Sequence, residues 1–145
     1  MRVPPLPAGT RWGSFPTTAD TGLWARSSTV DGLFDGLGTG LFAVMTDLRR
    51  IRPLEVREVR VRAGGADELA VRFLSELIGL EDGERFVARR VATHVRGRAT
   101  SVTADVFGEP WDAERHLRRK EVKAVTMHRL AVSLDPPRAK VILDI

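Results

Sequence analysis

Two carboxylates have the most to offer chemistry. Asp20 stands in the run Thr17-Thr18-Ala19-Asp20-Thr21-Gly22, and Asp144 is followed by Ile145 with its terminal carboxylate. Oxygen ligands of this kind suit a hard divalent cation such as Ca²⁺ or Mg²⁺. Spacing does not pair them, because they lie at opposite ends of the chain, and Asp20 alone reads equally well as a turn residue. The other reactive groups form no known constellation. There is no GxxxxGK[ST] phosphate loop, no GxSxG elbow and no HExxH pair. His94, His116 and His128 lack i,i+4 spacing, which disfavours a zinc site. His128 reads as a hydrogen-bonded, partly buried strand residue and His116 as a loop-fixing one. Trp12, Trp24 and Trp111 sit on separate segments and tyrosine is absent, so no aromatic stacking platform is expected. No catalytic residue is assigned.

The elements that must position these groups are legible from periodicity. Residues 1–12 carry Pro4, Pro5, Pro7 and Gly9 and read as a flexible Pro-rich arm; 13–145 reads as one domain. Thr21 to Arg26 is a short strand. Ser28 or Thr29 offers an N-cap to a helix whose stripe is Val30, Leu33, Phe34, Leu37, Leu41, Met45 and Leu48. Gly32, Gly36, Gly38 and Gly40 weaken that helix, so burial against a closely approaching sheet must hold it. Glu55 to Ala63 alternates as a half-buried strand. A second helix runs from Ala66 to about Leu80, closed by Glu81-Asp82-Gly83. Arg85–Val95 and Ala99–Phe107 are strands, the second broken by Gly108-Glu109-Pro110; a loop, a strand over Val122–Leu134 and a final strand Val141–Leu143 follow. The order is βαβα followed by four strands, predicting an α+β domain with two helices on a mixed, largely antiparallel sheet.

Composition narrows the class. The 145 residues suit one domain. Absence of cysteine excludes disulfides and thiol chemistry. No apolar run is long enough to span a membrane, and the N-terminal residues lack the apolar core of a signal peptide, so a cytoplasmic protein is expected. The net charge of +4 leaves an acidic partner or RNA open, but 19 acidic residues are scattered among 23 basic ones. Oligomeric state is not legible.

Six segments, in order, carry a resemblance. Thr18-Ala19-Asp20-Thr21-Gly22 resembles an HTAD-x-G motif, and Gly108-Glu109-Pro110-Trp111-Asp112-Ala113-Glu114-Arg115-His116 a GEPxDxxxH segment. Glu121 to His128, EVKAVTMH, resembles an EVKAxTYH strand. Leu41–Asp47, Phe73–Leu77 and Val141–Ile145 match the first helix end, the second helix and the carboxyl-terminal ending of the same family, the archeases. The resemblance implies a protein cofactor, not an enzyme. It implies that the chain promotes guanylylation and multiple turnover of an RtcB-type RNA ligase in tRNA splicing or RNA repair, meeting RNA through that ligase. It implies a divalent ion, calcium or else magnesium or manganese, held by Asp20, Asp144 and Ile145, and makes Lys123 a candidate contact to the ligase or its nucleotide. Three departures stand out. Thr17 replaces the motif's His, Met127 replaces its Tyr, and the second-helix exit Gly79–Gly83 is short. A metal-dependent phosphohydrolase and a basic RNA-binding module are the alternatives.

Overall fold

A computed structural model describes residues 2–145. Seven strands and two helices run in the order β1 (Arg11–Pro16), β2 (Thr21–Arg26), α1 (Val30–Met45), β3 (Glu55–Arg62), α2 (Ala66–Glu84), β4 (Phe86–Arg96), β5 (Ser101–Pro110), β6 (Ala124–Leu134) and β7 (Pro137–Asp144). The α+β class holds, with one correction: the strands form two sheets, β1-β2-β7-β6 and β3-β5-β4, and every pairing is antiparallel.

Helix α1 begins where Thr29 Oγ1 accepts the Gly32 N–H at 2.9 Å. Thirteen of its sixteen residues are buried, including its glycines. A helix buried nearly all round must have neighbours on several sides. Gly36 lies against Ala25 of β2, Gly40 against Trp12 of β1, and Gly38 against Val91 of β4. The close approach that the glycines predicted is present, to both sheets. Four helical glycines cost about 3–4 kcal/mol together. Leu33, Phe34, Leu37, Leu41, Phe42 and Met45 are fully buried, each contributing about 1.5–3 kcal/mol, so packing outweighs propensity.

Three polar side chains of α1 do a second job. Val95, Thr93 and Val91 of β4 donate their backbone N–H groups to Asp31 Oδ1 (2.7 Å), Asp35 Oδ1 (2.7 Å) and Thr39 Oγ1 (3.1 Å). These are the donors that edge strand β4 turns away from β5. Four residues of helix rise about 6 Å and two residues of strand about 6.7 Å, so the i,i+4 row matches the alternate amides. The helix thereby closes a sheet edge that would otherwise stay open to pairing. Asp35 also pairs with buried Arg90 at 3.1 Å, whose other donors reach the Pro4 and Pro5 carbonyls at 3.2 and 3.0 Å.

Element bounds differ from expectation where tertiary contacts decide. β1 starts at Arg11, inside the segment read as an arm, because Arg11–Pro16 pairs with β2. α2 continues through Glu81-Asp82-Gly83 to Arg85, whose positive φ of 55° ends it. Buried Glu81 holds Arg118 at 2.7 Å there. β5 runs through Gly108–Pro110, since Gly108 lies directly beneath the Val87 backbone, where no Cβ fits. β7 starts earlier than expected, at Pro137. β6 leaves its ladder between Thr126 and Ala131, and Arg129 there takes a φ of 58°. Met127, His128 and Arg129 on this excursion are exposed, so His128 is not the partly buried strand residue expected.

Candidate metal and partner site

The hairpin β1–β2 presents Asp20. Its four-residue turn is closed by Thr17, whose N–H donates to the Asp20 carbonyl at 3.4 Å and whose Oγ1 accepts the Asp20 N–H at 3.1 Å. The Thr17 hydroxyl thus acts locally, as a turn clamp.

Strand register brings the opposite ends of the chain to this turn. Thr21 pairs with Leu143, so Asp20 and Asp144 stand side by side one step beyond the last paired couple of β2 and β7. On the other flank Ala124 pairs with Asp144, and the Lys123 N–H donates to the Asp144 carbonyl at 2.7 Å. Lys123 and Ile145 are therefore neighbours as well. Neither aspartate is ion-paired among the described residues. Asp20 is half-buried and Asp144, Ile145 and Lys123 are exposed. All four residues singled out from sequence come to one end of one sheet. Lys120 joins them, its Nζ donating to Thr21 Oγ1 at 2.8 Å. No sequence signal distinguished it from the other cations of its loop.

That loop, between β5 and β6, is held by the GEPWDAERH segment. Glu109 is buried. Its Oε2 accepts the Arg52 backbone N–H at 2.7 Å and faces His116 Nε2 at 3.0 Å; its Oε1 accepts from Arg115 at 2.5 Å. His116 Nδ1 accepts the Asp112 N–H at 2.8 Å, so the ring proton sits on Nε2 and points at Glu109. Burial pushes the Glu109 carboxyl up, but the Arg115, Arg52 and His116 donors outweigh it and bring the group down to about 2. His116 fixes its loop, as its position suggested. Further along, Thr46 Oγ1 donates to the Leu117 carbonyl at 2.7 Å and the Arg119 N–H to Met45 at 2.9 Å, delivering Lys120 and Lys123 to the aspartates.

The remaining histidines stay apart: exposed His94 lies 3.8 Å from Asp31 and His128 sits on the β6 excursion. Among the described residues no three His, Cys, Asp or Glu side chains are grouped to hold a metal ion. The Asp20–Asp144–Ile145 set has only two such side chains; its third donor would be a main-chain carboxylate. Phe15 and Trp24 share the outer face of the four-stranded sheet, each ring lying across a glycine of the neighbouring strand, Gly22 and Gly13. Among the described residues no helix is long and apolar enough to cross a membrane.

The geometry agrees with what the chain is similar to. A model of the archease protein family (MTH1598/TM1083) matches residues 12–145. The protein archease of Thermococcus gammatolerans is 35% identical over 128 residues, covering 87% of this chain and 90% of that one. That of Methanothermobacter thermautotrophicus is 33% identical over 136 residues, covering 90% and 96%. The solution structure of Methanobacterium thermoautotrophicum protein 1598 superposes with a TM-score of 0.74 at 30% identity, covering 92% of this chain and 98% of that one. With the family model spanning nearly the whole chain and relatives above 30% identity covered along most of their length, this chain belongs to the archease family.

Proposed function

We propose that this protein is a non-enzymatic activator of an RtcB-type RNA ligase, working in the cytoplasm in tRNA splicing or RNA repair. The observation that carries the reading is the convergence of Asp20, Asp144, Ile145 and Lys123 at one exposed sheet end, in a member of this family. Asp20 and Asp144 fit a hard divalent ion, calcium or else magnesium or manganese, as oxygen donors not engaged in ion pairs among the described residues, with Ile145 as third ligand. When bound, such an ion supplies a positive centre that draws phosphate or carboxylate oxygens of the ligase site. The chain's own part is positional. The Thr17 clamp fixes Asp20, the β7 ladder fixes Asp144, and the Glu109–His116 knot holds the loop that brings Lys120 and Lys123 beside them. Activation then follows from binding the guanylylation-competent ligase more tightly than its other states.

Ligation by a partner RtcB-type ligase under multiple turnover, with and without this protein, tests the reading. Wild type is expected to raise turnover and guanylylation, and Asp20→Ala to lose most of the stimulation while keeping its melting temperature. Full stimulation by Asp20→Ala would remove the carboxylate cluster from the mechanism. No stimulation by wild type of an otherwise active ligase would end the activator reading.

A further inference from the structure

The outer face of the four-stranded sheet carries a pattern that ligase activation leaves unused. Cross-strand pairs put Arg11 beside Arg26, Arg26 beside Arg138, and Trp24 beside Lys140 on that face. Among the described residues at its paired positions, the one acidic side chain is Asp144, at the end already described. Both aromatic rings of the face are half-exposed. The Arg26 guanidinium lies 5.6 Å from the Trp24 ring centre and the Lys140 ammonium 5.9 Å from that of Phe15. Trp24, Arg26, Arg138 and Lys140 also line a cavity of about 600 Å³ beside β6, in which Asp67 is the one carboxylate. A volume of this size takes a nucleotide-sized group.

We propose that this face binds single-stranded RNA directly, with bases on Phe15 and Trp24 and phosphates on Arg26, Arg138 and Lys140. Cations alone would suit any polyanion, an acidic protein included. Each half-exposed ring rests on a glycine and carries an exposed cation over its other face; an unpaired base takes that face as the cation swings out to a phosphate, because every base has a π-face to stack. A duplex has its bases already stacked and offers none to these rings. The proposal does not rest on the ligase reading, since it uses other residues and needs no partner protein.

The test is fluorescence anisotropy of a labelled, unstructured 12-nucleotide RNA with the full chain alone, across a salt series. Three phosphate contacts predict a log–log salt slope of about −2. Charge reversal at two exposed positions together, Arg138→Glu with Lys140→Glu, is expected to weaken binding more than 10-fold and flatten the slope by more than 1. Trp24→Leu is expected to weaken binding by about 10-fold with the slope retained. Thermal melts confirm that each variant is folded. Absence of binding by wild type at low salt, or equal binding of a duplex of the same length, overturns the proposal. So does RNA binding that survives the charge reversal; if that variant instead loses ligase stimulation, the face is a protein contact. Because no ligase is in the binding assay, a negative result there leaves the activator reading standing.

Discussion

Glu109 holds a charge in the interior, and its surroundings set how the protein responds to acid. Its carboxyl, brought down to about 2 from an ordinary 4.5, favours the folded state wherever it is ionised in both states. A depressed acid gives a contribution that is complete above about pH 4.5 and lost as pH falls toward 2. Asp47 acts in the same sense, its Arg49 hydrogen bonds bringing it to about 2 from 3.8. Asp35 opposes them: burial raises its carboxyl despite Thr93 and Arg90, so its contribution is largest in acid and declines as pH rises past 3.8. The two depressed groups predominate, and urea titrations are expected to show stability falling between pH 4.5 and 2. Glu109→Gln is expected to cost about 1–3 kcal/mol at pH 7, by leaving part of the donor set unmatched, and to flatten that fall; an unchanged acid limb would assign it to other carboxylates. Residue types at this scale were partly legible. Thr29 as a cap and His116 as a loop anchor followed from chemistry that acts within a few residues. Lys120 did not, because its partner Thr21 lies far away in the chain.

Helix α1 shows why element-scale reading succeeds and where it stops. Its glycines announced a close approach, and the apolar stripe announced a core. The row Asp31, Asp35, Thr39 was also visible, at i,i+4 spacing. Without β4 it reads only as polar interruption of an apolar helix. The row predicts a local effect. Asp35→Ala, which strands buried Arg90, is expected to cost about 3–5 kcal/mol. Amide exchange at Thr93 should accelerate beyond what that global loss explains, and an exchange rate tracking global stability alone would mean the edge is closed by other means. Gly38→Ala separates propensity from packing. A methyl gains up to about 1 kcal/mol of helix preference but would lie 2.9 Å from Val91 Cγ1, and overpacking costs about 1–3 kcal/mol. Net destabilisation by chemical denaturation is the expected outcome, and a more stable variant would show that Val91 yields freely. β1 escaped the sequence reading because prolines precede it and its outward positions, Arg11, Gly13 and Phe15, hide an alternation that only β2 completes. The single mixed sheet expected from strand order became two because nothing local in a strand states which partner it takes.

Both helices touch both sheets, which ties the molecule into one unit: α1 packs on β1, β2 and β4, and α2 on β3, β4, β5 and β6. A single unfolding transition is expected, with calorimetric and van't Hoff enthalpies equal; two separable transitions would mean that one sheet stands without the other. The pairing of Thr21 with Leu143 also has a meaning in time. β2 emerges early and finds β1 at once, but its second neighbour, β7, lies far along the chain and emerges on the order of ten seconds later at usual rates of translation. Until then β2 keeps an open flank and Asp20 has no Asp144 beside it. Closing so long a loop is slow, so the acidic corner is among the last features to exist, and a partially synthesised chain cannot engage a partner through it.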